Sequence, residues 1–334
     1  YMGKKGNGKY AAAALVFCAL AGTAGLLLSC SGKDNTVPAP ENQEASALQS
    51  DAGAEQREIT PERQEPKHED NEDTNEPDEP VQYTIIRPEG STLETRIAVP
   101  EGYSRSKVKE GSLGSFLRSY PMKKDGKPVL LYDGSKKGNQ SAHAAVFKLP
   151  IEPEDLQQCA DSVMRVYAEY FWKTGQKDRI KFHFVDGFLA DYARWRDGGR
   201  IQVGNNGSGW VQSASYDGSY SNFKKYMRIV FAYAGTLSME KESEKISLGK
   251  LRIGDIFIKG DSPGHVVMVV DVCKDSEGKK AFLLGQGYMP AQEFHLLNNP
   301  RREGNPWYYE EDVSYPFETP EYTFEKGSLR RPVY

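Results

Sequence analysis

Residues 254–271 read GDIFIKGDSPGHVVMVVD, and the fold turns on how this stretch is paired. An apolar run ends at a Ser-Pro-Gly turn signal, and His265 stands at the mouth of a second, almost wholly apolar run. Buried runs of this length bounded by turn residues read as strands. The next turn, KDSEG, leads into KKAFLLGQG. A hairpin centred there opposes residues whose numbers sum to roughly 552, which sets His265 against about residue 287, with Gln286 and Tyr288 within one step. Alternation along a strand then puts His265, Val267, Val269 and Asp271 on one face. A polar neighbour such as Gln286 is what an imidazole needs to fix its tautomer.

Upstream of this meander, TRIAV, PVLLY and AAVFKL read as short strands between Thr92 and Pro150. Pro153 suits a first helical position. Leu156, Cys159, Val163, Val166, Tyr167 and Tyr170 then recur at helical spacing until Gly175, which predicts a helix with Cys159 about two turns inside it. A strand IKFHFV, a short helix over Leu189–Trp195, a polar loop over Gly204–Gly209 and a helix over Ser221–Ala234 follow. Strands resume with EFHLL. Helices early and an antiparallel meander late predict an α+β domain over residues 81–334, with helices packed on an antiparallel sheet.

The first 80 residues are of another kind. Lys4, Lys5 and Lys9 precede an apolar run from Ala11 to Leu28, and LLSC follows at 27–30. A charged start, an apolar middle and a small residue before cysteine read as a lipoprotein signal over 1–29, with Cys30 as the lipidated residue. Acyl chains on that cysteine supply the two anchoring signals that stable membrane attachment takes. Residues 30–80 read as a disordered acidic tether: positions 51–80 hold twelve Asp or Glu against three Lys or Arg, with few aromatic or β-branched residues. Such a segment cannot bury enough apolar surface to offset its ordering entropy. These features predict a cell-envelope protein held to a membrane by lipid, the outer membrane being the expected one. The remainder is mildly basic and has no basic run or zinc-knuckle spacing, which argues against a nucleic-acid partner.

The chemistry-bearing residues are few. The chain has four cysteines. Cys18 falls in the signal and Cys30 is the lipidation site, so Cys159 and Cys273 remain, free or paired. No G-x-S-x-G, Walker loop or H-E-x-x-H occurs, and His143, His183 and His295 lack metal-ligand spacing, so neither a metal nor a cofactor is expected. Cys159 is the available nucleophile, His265 the base and Gln286 its orienter or an oxyanion partner. Against that role, Cys159 lies on an apolar helical stripe, where cysteine serves as a small hydrophobe. Trp210, Trp307 and Tyr308 stand near glycine- or proline-rich loops, where rings can stack on a ligand such as a sugar.

Cysteine, then histidine, then a polar orienter is the chain order of papain-like and NlpC/P60-type cysteine peptidases. GDIFIKG…GHVVMVVD resembles the Gly-Asp strand and histidine strand of that class and of the related CHAP amidases. Their Asp-Cys-Ser-Gly signature is absent, QQCADS standing in its place. Longer words are more distinctive: NQSAHAAVFKL, DLQQCADSVMRVYAEYF, FVDGFLADYARW, IGDIFIKGDSPGHVVMVVDV and YMPAQEFHLLNNPRREGNPWYY resemble an uncharacterised bacterial family catalogued as domain of unknown function 4846, over residues 93–325. That resemblance implies a lipoprotein setting but no activity. It also places Gly285 and Gly287 where Ala and Ser are expected.

Two classes of function follow. One is a cysteine amidase or peptidase acting on peptidoglycan or peptides, on a papain-like or NlpC/P60-like core. The other is a non-catalytic module that binds glycan, peptide or an envelope protein, or a structural part of a surface complex.

Overall fold

The computed structural model describes residues 83–334 except 262. The lipoprotein signal, Cys30 and the tether lie outside the described residues, as does the serine of the Ser-Pro-Gly turn. The described chain is mixed α+β, with six α-helices and a nine-stranded antiparallel main sheet.

The predicted meander forms its centre. From one edge to the other, the main path of the sheet is His143–Val146, His295–Leu297, Lys280–Gln286, His265–Lys274, Ile256–Lys259, Leu329–Pro332 and Ser243–Lys245. Ser104–Arg105 pairs with His265–Lys274, and Tyr308–Tyr309 with Lys280–Gln286. His265–Lys274, the histidine strand, is buried except at Lys274, and Lys280–Gln286, the glutamine strand, is buried throughout.

Their register is set by a bulge. Lys280 opposes Lys274 and Leu283 opposes Asp271, but Leu284 opposes Val269, leaving Val270 as the extra residue. In a regular strand alternate residues share a face, and a bulge breaks that alternation so that two consecutive residues point the same way. Val266, Met268 and Val270 therefore pack in one core with Val163 and Met164, whereas Val267, Val269 and Val272 pack in the other with Phe317 and Phe324. Asp271 is carried to the first face, where Arg105 and Arg118 bind its buried carboxylate, each at 2.8 Å. The expectation that Asp271 shares a face with His265 fails at this bulge.

The long helix begins later than Pro153 suggests. It spans Cys159–Lys173, with Gln158 extended at its N-cap. Leu156 N–H donates to Glu154 O and Gln158 N–H to Leu156 O, so residues 153–158 form tight turns. Asp161 then takes the N–H of Gln158 at 3.0 Å, which ends the turn and starts the helix. Cys159 is thus the first residue of the helix rather than two turns inside it. Further differences are local. The helix Leu93–Arg96 takes the first two residues of TRIAV, and PVLLY contributes isolated bridges at Leu130 and Leu131 in place of a strand. Leu189–Asp191 is a strand before the helix Tyr192–Arg196, and the polar loop over Gly204–Gly209 is the tip of a hairpin, Gly199–Gly204 with Gly207–Gln212.

Candidate functional site

The first turn of the cysteine helix, Cys159–Lys173, lies against the ends of the two central strands. Pairing between the histidine and glutamine strands stops at Gly285 opposite Met268. Past that point Gly287 lies on the helix so closely that a Cβ there would fall 2.1 Å from Ser162 Oγ and 2.9 Å from the backbone oxygen of Gln158. At Gly285 a Cβ would meet the Phe294 ring at 2.7 Å. The two glycines standing where Ala and Ser were expected are therefore required by close packing.

Cys159 sits where the strands part. The backbone N–H groups of Ala160, Val266 and Cys159 itself favour its thiolate, but burial and then the Asp161 carboxylate outweigh them and push the thiol up to about 12. The residue is 9 % exposed and borders a cavity of about 300 Å³ shared with Asp161, Phe231, Thr236, Gly264 and Met289. Asp161 is itself raised well above the usual carboxylate range by burial, and its Oδ1 is buried without a partner.

His265 begins the strand whose second residue, Val266, touches that thiol. Its ring packs on Tyr288 and Tyr322 at 4.7 and 4.8 Å, on the face opposite the cysteine helix. Its Nε2 is 2.8 Å from Gln286 Oε1. Burial lowers its pKa to about 4, with Gln286 opposing and Lys137 adding to the effect, so the ring is neutral at pH 7. The structure thus brings His265 and Gln286 into contact, while Cys159 lies against Val266 on the other face of the strand. Among the described residues no hydrogen bond joins Cys159 to His265.

Gln286 does not act alone. Its Nε2 donates to Glu321 Oε2 at 2.7 Å and to His295 Nε2 at 3.3 Å. Lys137 Nζ binds Glu321 Oε2 and lies 3.4 Å from His295 Nε2. His295 donates from Nδ1 to Glu293 O at 2.8 Å, and burial lowers its pKa to about 3. Sequence reasoning passed over Lys137 and Glu321 and set His295 aside. His295 was reachable, since EFHLL pairs beside the glutamine strand with His295 opposite Gln286. Glu321, in the turn of the hairpin Phe317–Glu318 with Thr323–Phe324, carries no local signal.

The aromatic candidates separate. Trp307 is fully buried, its indole N–H donating to Ala98 O at 2.8 Å, and Tyr308 is buried with its hydroxyl on Asn298 O at 2.6 Å. Both are core residues, and Tyr308 borders a small cavity with Asp312 and Phe317. Trp210 is half-buried on the hairpin Gly199–Gly204/Gly207–Gln212, beside a cavity of about 510 Å³, with the Arg194 guanidinium 5.1 Å from its ring. Cys159 and Cys273 are both free and buried. Among the described residues no group of three His, Cys, Asp or Glu side chains is placed to hold a metal ion.

A family model described as domain of unknown function (4846) matches residues 93–331, and the chain belongs to that family. No curated protein and no solved structure matches.

Proposed function

We propose that this member of the family of domain of unknown function 4846 is a lipid-anchored envelope protein, a cysteine amidase or peptidase acting on peptidoglycan or peptides. The carrying observation is the corner itself. A thiol starts a helix, the N–H of Val266 reaches it, and the adjoining His265 is held by Gln286 at 2.8 Å. Nucleophile, base and orienter in this order are the parts of a cysteine hydrolase. The role requires that substrate binding bring the His265 ring from the Tyr288 and Tyr322 side to the thiol, since catalytic contacts can form only in the substrate complex.

In the proposed reaction Cys159 Sγ attacks the scissile carbonyl carbon while its proton passes to His265 Nδ1. The C–N bond breaks as that proton moves to the leaving amine, and water then hydrolyses the thioester, regenerating the thiol. Both groups start neutral, which fits general-base removal of the thiol proton better than a standing ion pair. The lipid on Cys30 and the acidic tether give the domain reach from its membrane in this reading.

The second reading, a non-catalytic module that binds glycan, peptide or an envelope protein, is favoured by the buried, neutral thiol and by half-buried Trp210. Purified protein incubated with peptidoglycan fragments separates the two. Hydrolysis that disappears in Cys159→Ala supports the first. Undiminished hydrolysis in that variant refutes it. Retention on insoluble peptidoglycan without turnover, lost in Trp210→Ala, supports the second.

A further inference from the structure

We infer that Glu321, Lys137 and His295 are positioning residues that lock the proton of His265 on Nε2 by fixing which way the Gln286 amide points. This rests on the reading of His265 as the base, but the hydrogen bonds that carry it stand independently.

Each link has a defined direction. His295 Nδ1 faces a backbone oxygen, Glu293 O at 2.8 Å, and a carbonyl can only accept. The His295 proton is therefore on Nδ1, and its Nε2 is a bare acceptor. Two donors converge on that atom, Gln286 Nε2 at 3.3 Å and Lys137 Nζ at 3.4 Å. Glu321 Oε2, an acceptor, takes Gln286 Nε2 at 2.7 Å and also binds Lys137. With both amide hydrogens of Gln286 so directed, only its Oε1 can face His265. An oxygen 2.8 Å from His265 Nε2 requires that nitrogen to donate. The neutral imidazole then has a bare Nδ1.

The anchors are braced from separate parts of the chain. Lys137 has its N–H on Val129 O at 3.0 Å and its carbonyl on Gln140 Nε2 at 2.7 Å. Glu321 sits in a turn closed by Thr319 Oγ1 on Tyr322 O at 2.9 Å, and its own carbonyl takes the Tyr288 hydroxyl at 3.3 Å. Lys137 and Glu321 are both largely buried, where an ion pair aligns neighbouring dipoles more strongly than at the surface. A flipped amide would face an –NH₂ group to a proton-bearing His265 Nε2 and an oxygen to a carboxylate, two repulsive contacts in one move.

The test reads the tautomer directly. In full-length protein with ¹⁵N-labelled histidine, the ring nitrogens of His265 are identified among five histidines by their loss in His265→Asn. At pH 7 the expected spectrum has a proton-bearing Nε2 and a bare Nδ1. A proton on Nδ1, or an even mixture, in the wild-type protein overturns the inference without any variant. Exchanging the pair, Lys137→Glu with Glu321→Lys, keeps the charges matched but presents a donor to Gln286. The amide should turn over, and the His265 proton should move to Nδ1. An unchanged spectrum in a folded exchange variant refutes the lock, whereas Glu321→Gln, which keeps an acceptor at 321, should retain the wild-type spectrum. Turnover in the exchange variant should fall by about 100-fold or more, the weight of a general base. Absence of turnover in the wild-type protein would sink the hydrolase reading while leaving the tautomer result standing.

Discussion

Replacing Gly287 with alanine tests the contact on which the whole corner depends. The added Cβ would lie 2.1 Å from Ser162 Oγ, 2.8 Å from Ser162 Cβ and 2.9 Å from Gln158 O. The hydroxyl can rotate away, but the other two atoms belong to the first turn of the cysteine helix and cannot move without moving it. Overpacking of this kind costs about 1–3 kcal/mol, against the gain of about 0.4–1 kcal/mol that Gly→Ala brings where the new methyl group is accommodated. Gly138, with nothing within 4 Å of its would-be Cβ, is the control. Urea unfolding should show Gly287→Ala less stable than wild type by about 1–3 kcal/mol and Gly138→Ala no less stable than wild type. A cycle with Ser162→Gly isolates the clash. Removing the serine side chain should return part of the loss, a coupling of about 0.5–3 kcal/mol between contacting residues. Gly287→Ala at full stability, or a coupling of zero, would mean that the strand end does not lie on the helix and that Gln286 is not held where the structure places it.

Two further outcomes follow from the charges around the corner. Because Asp161 is the second cause holding the Cys159 thiol up after burial, Asp161→Asn should lower that pKa while keeping a side chain able to cap Gln158. Iodoacetamide should label Cys159 of the folded wild-type protein slowly at pH 8 and the variant several-fold faster. Equal rates would show that the carboxylate does not act on the sulfur. His265 should also make stability depend on pH. Its folded pKa of about 4 lies below the ordinary 6.5, so the unfolded chain binds the proton first as pH falls. The stabilisation is complete above about 6.5 and is lost toward 4. Between pH 7 and pH 4.5 the loss comes to roughly 2 kcal/mol. His295, lowered to about 3, adds in the same sense, and the raised carboxyl of Asp161 opposes it. His265→Asn should lose about 2 kcal/mol less than wild type over that interval in urea titrations, and parallel losses would refute the assigned cause.

What the sequence made legible follows from how local each signal is. The central strands were readable because long apolar runs bounded by Gly, Pro and Asp have one good use, a sheet buried on both faces. The same uniformity hid the Val270 bulge, since a run of valines offers no polar residue to mark the face change that separates Asp271 from His265. Pro153 misplaced the helix start because the deciding residue was Asp161, whose carboxylate takes the N–H of Gln158; a capping carboxylate three residues into a helix is a sequence signal, and here it outranks the proline. His265 and Gln286 could be paired from a turn-centred count accurate to about one residue, because their separation along the hairpin is short. Glu321 reaches the same site from 35 residues beyond Gln286, through a two-residue-per-strand hairpin that gives no periodic pattern to read. The paired core strands belong to the part of the site that sequence can announce. The acceptor that decides which way Gln286 points, and hence where His265 keeps its proton, is supplied by tertiary packing alone.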